Sequence, residues 1–126
     1  MTLREKQSVF SHNVSKLIQF AYSNGYEITL GEALRTKSQQ LLYFEGYKLM
    51  KIGSSLKPAK TKRKTKTMAS YHLLKLAIDL NVFKDGILLS AKKDYKELAE
   101  YWKSLNHKNT CGYFWGWDLG HFQMSK

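Results

Sequence analysis

Val9, Phe10, Val14, Leu17, Ile18 and Ala21 recur at helical spacing, which predicts an amphipathic helix over residues 3–24, stopped by Asn24-Gly25. Tyr26-Glu27-Ile28-Thr29-Leu30 alternates and predicts a strand. Ser38 to Glu45 reads as a short helix, capped near Thr36 or Lys37 and ended by Gly46. Residues 47–69 are polar, basic and contain the only proline, Pro58, which predicts a long loop with a basic stretch over 57–69. Leu73 to Phe83 is nearly continuous in apolar residues and predicts a buried central strand. The turn signal Lys84-Asp85-Gly86 lets Ile87-Leu88-Leu89 pair back on it. Asp94 to Leu105 carries a helical stripe of Tyr95, Leu98, Ala99, Trp102 and Leu105. Residues 106–120 read as irregular, and Phe122 to Met124 as a closing strand. Separate helices and short strands predict an α+β fold, a small antiparallel sheet with flanking helices, in one domain over residues 1–126.

Charge changes the picture more than composition does. The formal net charge is +11, which points to an anionic partner: nucleic acid, an anionic membrane or the bacterial envelope. Lys57, Lys60, Lys62, Arg63, Lys64 and Lys66 are concentrated in the predicted loop, where a solvated surface segment is the simpler reading. Cys111 is the sole cysteine, so no intramolecular disulfide and no cysteine zinc cluster can form. Any metal site must use His and carboxylate donors. No apolar run approaches the roughly 18 residues of a membrane span. The N-terminus lacks the order of a secretory signal, which predicts synthesis in the cytoplasm.

Asp79 is the most informative position. It interrupts Leu76-Ala77-Ile78-Asp79-Leu80, where apolar neighbours predict burial, and an isolated buried carboxylate is costly. A cation would remove that cost. His72 stands seven residues upstream and His121 far downstream. Two His and one carboxylate form a common catalytic zinc set that leaves a position open for water. An Asp in a strand also caps turns or pairs with Lys or Arg, and spacing alone does not decide between these.

The local words add to it. Ser70-Tyr71-His72, six residues, Asp79, and then Asp118-Leu119-Gly120-His121-Phe122 resemble the zinc peptidases that include D-alanyl-D-alanine carboxypeptidases and the L-alanyl-D-glutamate endopeptidases of bacteriophages. Gly31 to Thr36 followed by Gln39-Gln40 resembles the Arg-Thr segment of that family. The resemblance runs over roughly residues 3–124. It implies a zinc site at the sheet held by His72, Asp79 and His121, with Asp118 as general base and Arg35 at the substrate carbonyl or oxyanion. Ser70 and Gln40 would support the site or touch substrate. Apart from the resemblance, Tyr113, Phe114, Trp115 and Trp117 crowd the segment before His121; aromatics so close together usually form core, and here some, Trp117 among them, are candidates to wall the cleft. Two departures stand out. Lys75 occupies a position where the family often has Gly, and Asp118 replaces a frequent Glu, as in the phage-type branch.

The expected activity is hydrolysis of the peptide stem of peptidoglycan, between L-Ala and D-Glu, by a monomeric endolysin. It would act at the cell wall or periplasm and meet the anionic envelope through its basic loop. D-alanyl-D-alanine carboxypeptidase or dipeptidase activity is the alternative within the class. From another class, the Lys57–Lys66 run would bind nucleic acid. That reading lacks interleaved aromatics and a recognition motif, and leaves Asp79 unexplained.

Overall fold

A computed structural model describes residues 1–126. Helix α1 spans Leu3–Ser23, and Thr2 and Glu5 close a reciprocal capping box at its start. Strand β1 (Glu27–Leu30) follows, then α2 (Lys37–Glu45), capped by the Thr36 hydroxyl and ended by Gly46 in the left-handed region. Further along lie β4 (Ala77–Lys84), β5 (Ile87–Leu88), α3 (Lys96–Leu105), β6 (Asn109–Cys111), the short helical turn α4 (Gly112–Trp115) and β7 (His121–Met124). The main sheet runs β1-β4-β7-β6, with β5 beside the far end of β4, and every pairing is antiparallel. The architecture is α+β, as the pattern predicts.

Three segments depart from expectation. The loop assigned to 47–69 contains a hairpin of β2 (Tyr47–Ile52) and β3 (Ser55–Lys60), so residues 57–60 of the basic stretch are strand and only the remainder is loop. The hairpin buries neither face, so its apolar residues are interleaved with lysine and give no alternating pattern. Its two-residue connection begins with Gly53 at φ 63°, the chemistry that tight hairpin turns require. The strand expected over 73–83 starts at Ala77. Tyr71–Leu74 forms a 3-10 turn, and Lys75 then adopts φ 57°. Leu74 and Leu76 pack on the core from this turn, which is why the run read as strand. Residues 106–120 contain β6 and α4, elements too short to show a period.

Period-two alternation sorts the two central strands into a core face and an open face. Ile78, Leu80 and Val82 of β4, with Phe122 and Met124 of β7, join the apolar core built with α1 and α3. Trp102 lies at its centre. Its ring meets Phe10 and Phe122 edge-on, and its indole N–H donates to the carbonyls of Thr110 and Gln123 at 3.0 and 3.1 Å. This ties α3 to the edges of β6 and β7. Asp79, His121 and Gln123 point the other way. The Asp79 carboxylate is therefore half-buried, with 35% of its side chain exposed, rather than sunk in the core as its apolar neighbours suggested.

Candidate metal centre

Strand register sets the first half of the site. Asp79 is paired directly across the ladder with His121, so both side chains rise from the same face of neighbouring strands. The Asp79 backbone is held on its other side too. Its N–H donates to the Glu32 carbonyl and its carbonyl accepts from Gly31, both at 2.8 Å. On the β7 side, the Leu80 N–H donates to the Gly120 carbonyl at 2.8 Å, and a Cβ at Gly120 would collide with the Leu80 carbonyl. Only glycine permits that approach.

His72 arrives from the 3-10 turn and is 2% exposed. The Ser70 hydroxyl caps that turn by accepting from the His72 N–H at 3.2 Å. The His72 Nδ1 contacts the Ala33 carbonyl at 2.8 Å, which assigns the proton to Nδ1 and leaves the Nε2 lone pair facing Asp79 at 3.3 Å. His121 uses the opposite nitrogens. Its Nε2–H donates to Gln123 Oε1 at 2.8 Å, and Nδ1 faces Asp79 Oδ1 at 3.2 Å.

His72, Asp79 and His121 thus present three donor atoms within 4.8 Å of one another. Neutral imidazole lone pairs and a carboxylate oxygen converge there, an arrangement that calls for a proton or cation between them. The separations to Asp79 match the roughly 3.3 Å between donors around a tetrahedral ion with bonds of about 2.0 Å. The donor set fits a divalent metal.

The electrostatics agree. Burial would push the Asp79 carboxyl up, but in the metal-free chain the imidazoles of His121 and His72 beside it favour its charged form and hold it well below the usual carboxylate range. Burial would push the His121 imidazole down, but its hydrogen bonds to Asp79 and Gln123, with the charge of Asp118, raise it above the ordinary histidine value. Burial raises the Asp118 carboxyl; the His121 charge opposes this and the Asp79 charge adds to it.

Asp118 lies with one oxygen 3.8 Å from the His121 Nδ1. Its backbone is left-handed at φ 55°, a conformation Asp tolerates better than most residues. Gly112 packs against the same turn so closely that a Cβ there would strike the Asp118 carbonyl. Arg35 also borders the cleft, with 13% of its side chain exposed. It pairs with Glu32, donates to Gln40 Oε1 at 2.9 Å and stacks over the Tyr43 ring at 4.9 Å. The ion pair with Glu32 holds the guanidinium at the cleft.

Gln40 is fully buried and donates to the Thr67 carbonyl, so it braces Arg35 and the 61–69 segment and cannot touch substrate. Trp117 is 68% exposed at the cleft lip, and the Trp115 ring lies 5.8 Å from that of His121. Cys111 lies on the core face, its thiol pushed up to about 11 by burial. Sequence reasoning passed over Gln123, although its place two residues beyond His121 on a strand puts both side chains on one face. Nor does it assign a role to Glu32, which the structure pairs with Arg35.

The cleft has a volume of about 900 Å³. Arg35, Arg63, Lys64 and Lys66 line it together with Asp79 and Asp118.

No protein-family model and no curated protein matches the sequence. A solved structure is similar in fold: the L-Ala D-Glu endopeptidase ChiX of Serratia marcescens, with a TM-score of 0.61 and 19% identity, covering 97% of this chain and 85% of that chain. The two share a fold.

Proposed function

We propose that this chain is a zinc-dependent peptidase that cleaves the L-Ala–D-Glu bond in the peptide stem of bacterial peptidoglycan. The observation that carries the reading is the cross-strand pair Asp79 and His121, joined by His72, with Asp118 and Arg35 on the same cleft. The shared fold with an L-Ala D-Glu endopeptidase supports the substrate class. Four cations on the cleft wall suit an acidic peptide such as one containing D-Glu. Asp at position 118, as in the phage-type branch of the resemblance, extends the reading to an endolysin that lyses the host from the periplasmic side.

His72, Asp79 and His121 would hold the ion. When bound, it supplies Lewis acidity, which polarises a carbonyl and makes water a better nucleophile near neutral pH. Asp118 takes the proton from the attacking water and returns it to the leaving amine. Its raised affinity for protons suits that task. Arg35, fixed by Glu32 and Gln40, presents its guanidinium to the oxyanion that forms on the substrate. Gln123 and Ala33 keep the two imidazoles in the tautomers that leave a lone pair for the ion.

The test is digestion of defined peptidoglycan with fragments read by mass spectrometry, beside a chelated sample. The reading expects a new D-Glu amino terminus, lost on chelation and restored by zinc. Release of free D-Ala would move the activity to the carboxypeptidase alternative. No cleavage with any divalent ion would remove the peptidase reading.

A further inference from the structure

The β2–β3 hairpin takes no part in the site described above. Every residue of Tyr47–Ile52 is exposed, and in Ser55–Lys60 only Ala59 is partly covered. Large aliphatic side chains stand in solvent: Leu49 is 54% exposed, Met50 42%, Ile52 58% and Leu56 68%. A two-stranded hairpin with both faces wet gains little from displaying them. The register places Ile52 opposite Ser55, Lys51 opposite Leu56 and Met50 opposite Lys57, so at the turn end of the hairpin one face carries Ile52 with Lys57 behind it and the other carries Leu56 beside Lys51. Lys48 and Lys60 lie nearer the base. No Asp or Glu occurs between Glu45 and Asp79, and none of these four lysines pairs with a carboxylate.

We propose that this hairpin docks the protein on an anionic lipid surface, with Ile52 and Leu56 entering the headgroup layer and the lysines on lipid phosphates. Charge complementarity selects the partner. An unbroken cationic segment with no acid seeks an anionic surface, each lysine near such a membrane adding to the attraction. Lysine stems can lie along the apolar boundary with the ammonium at phosphate level. The span from Ile52 to Lys48, about 13 Å at strand rise, exceeds the roughly 5–10 Å depth of interfacial burial, so Lys48 stays at the surface while the turn end enters. A second copy of the hairpin is disfavoured because like charges would face each other. Nucleic acid would engage the lysines, but the exposed side chains near the turn are aliphatic and offer bases no stacking surface. The inference is independent of the peptidase reading, and its test requires no catalysis.

The experiment is co-sedimentation of the full chain with vesicles of phosphatidylcholine alone or mixed equally with phosphatidylglycerol, at about 0.15 M salt. The protein is expected to pellet with the anionic vesicles only. Ile52→Ser with Leu56→Ser, and separately Lys51→Glu with Lys57→Glu, are each expected to weaken this roughly tenfold or more. Arg4→Glu with Lys16→Glu makes the same net charge change on α1 and is expected to leave it nearly unchanged. All substituted residues are exposed, and circular dichroism checks the fold. Because Cys111 is fully buried, a polarity-sensitive dye on Ile52→Cys reports insertion directly and is expected to brighten on anionic vesicles. Absence of pelleting with anionic vesicles, equal pelleting with phosphatidylcholine, or full binding by the Ile52→Ser, Leu56→Ser variant would overturn the proposal. So would tighter binding to a single-stranded oligonucleotide than to the vesicles.

Discussion

The β4–β7 ladder and the β2–β3 hairpin are both antiparallel pairings, yet they follow opposite rules. In the ladder, one face is buried by Ile78, Leu80, Phe122 and Met124, so a slip of one residue would turn the core outward. That constraint places Asp79 and His121 side by side without any special device of their own. The hairpin has no buried face, and its residues answer to solvent or a partner rather than to the core. Precision at the candidate metal centre is thus a by-product of hydrophobic packing on the reverse of the same strands.

The sharpest way to break this contrast is to remove core from one region and apolar surface from the other. Phe122→Ala is expected to cost about 3–5 kcal/mol in denaturant unfolding, because the ring is fully buried against Trp102. Leu56→Ser is expected to stay within about 0.5 kcal/mol. Comparable losses in the two would contradict the contrast.

Chemistry and positioning separate next. Asp118→Asn should lower kcat on peptidoglycan fragments by roughly 10²–10⁴-fold while zinc content stays at the wild-type level. Gln123→Leu removes the acceptor of the His121 Nε2–H and should weaken zinc affinity by about 10–100-fold, measured by chelator competition. Zinc binding by Gln123→Leu as tight as in the wild type would show that packing alone orients the imidazole.

Acidity gives a further distinction. The raised pKa of His121 means that protons compete with metal, so zinc affinity should begin to fall at a pH above the ordinary histidine value of 6.5. The metal-free protein responds in the other direction. With the folded pKa raised, the His121 contribution to stability is complete below the unfolded value and is lost as the pH rises through the folded one. Asp79, with its pKa depressed, contributes above its unfolded value of 3.8 and loses this as the pH falls through the folded value. The Tm of chelated protein should therefore decline as the pH rises above the ordinary histidine value of 6.5, and zinc should remove the decline.

The smallest gain concerns Lys75. Its φ of 57° is a conformation that costs a side chain roughly 1–2 kcal/mol, and the resembling family often has glycine there. Lys75→Gly should stabilise the fold by up to about 1 kcal/mol once the entropy of glycine in the unfolded chain is counted, readable as a rise in Tm.

Where a pattern reports burial, the sequence was legible. The stripe of α1, the caps of α2 and the alternation of β7 all mark residues that meet the core or close a helix end. Legibility failed where burial and secondary structure part company. Leu73, Leu74 and Leu76 read as strand because they are apolar, but the first two belong to a 3-10 turn and Leu76 follows its left-handed end at Lys75. The hairpin carries leucines that bury nothing, so only the Gly53-Ser54 turn chemistry announced it. Asp79 was singled out for an inferred burial that period-two alternation relieves. The local words around His72, Asp79 and Asp118 lead to residues that the fold gathers in one cleft, whereas Gln123 and Glu32 act through contacts that no linear word displays.

Zinc titration of the dialysed protein, beside the His121→Ala variant, tests the central claim most directly. The account expects one tightly bound ion per chain in the wild type, and loss of both that ion and peptidoglycan hydrolysis in the variant. Equal zinc binding by the variant, or hydrolysis that survives without the ion, would contradict a metal centre built on the Asp79–His121 register.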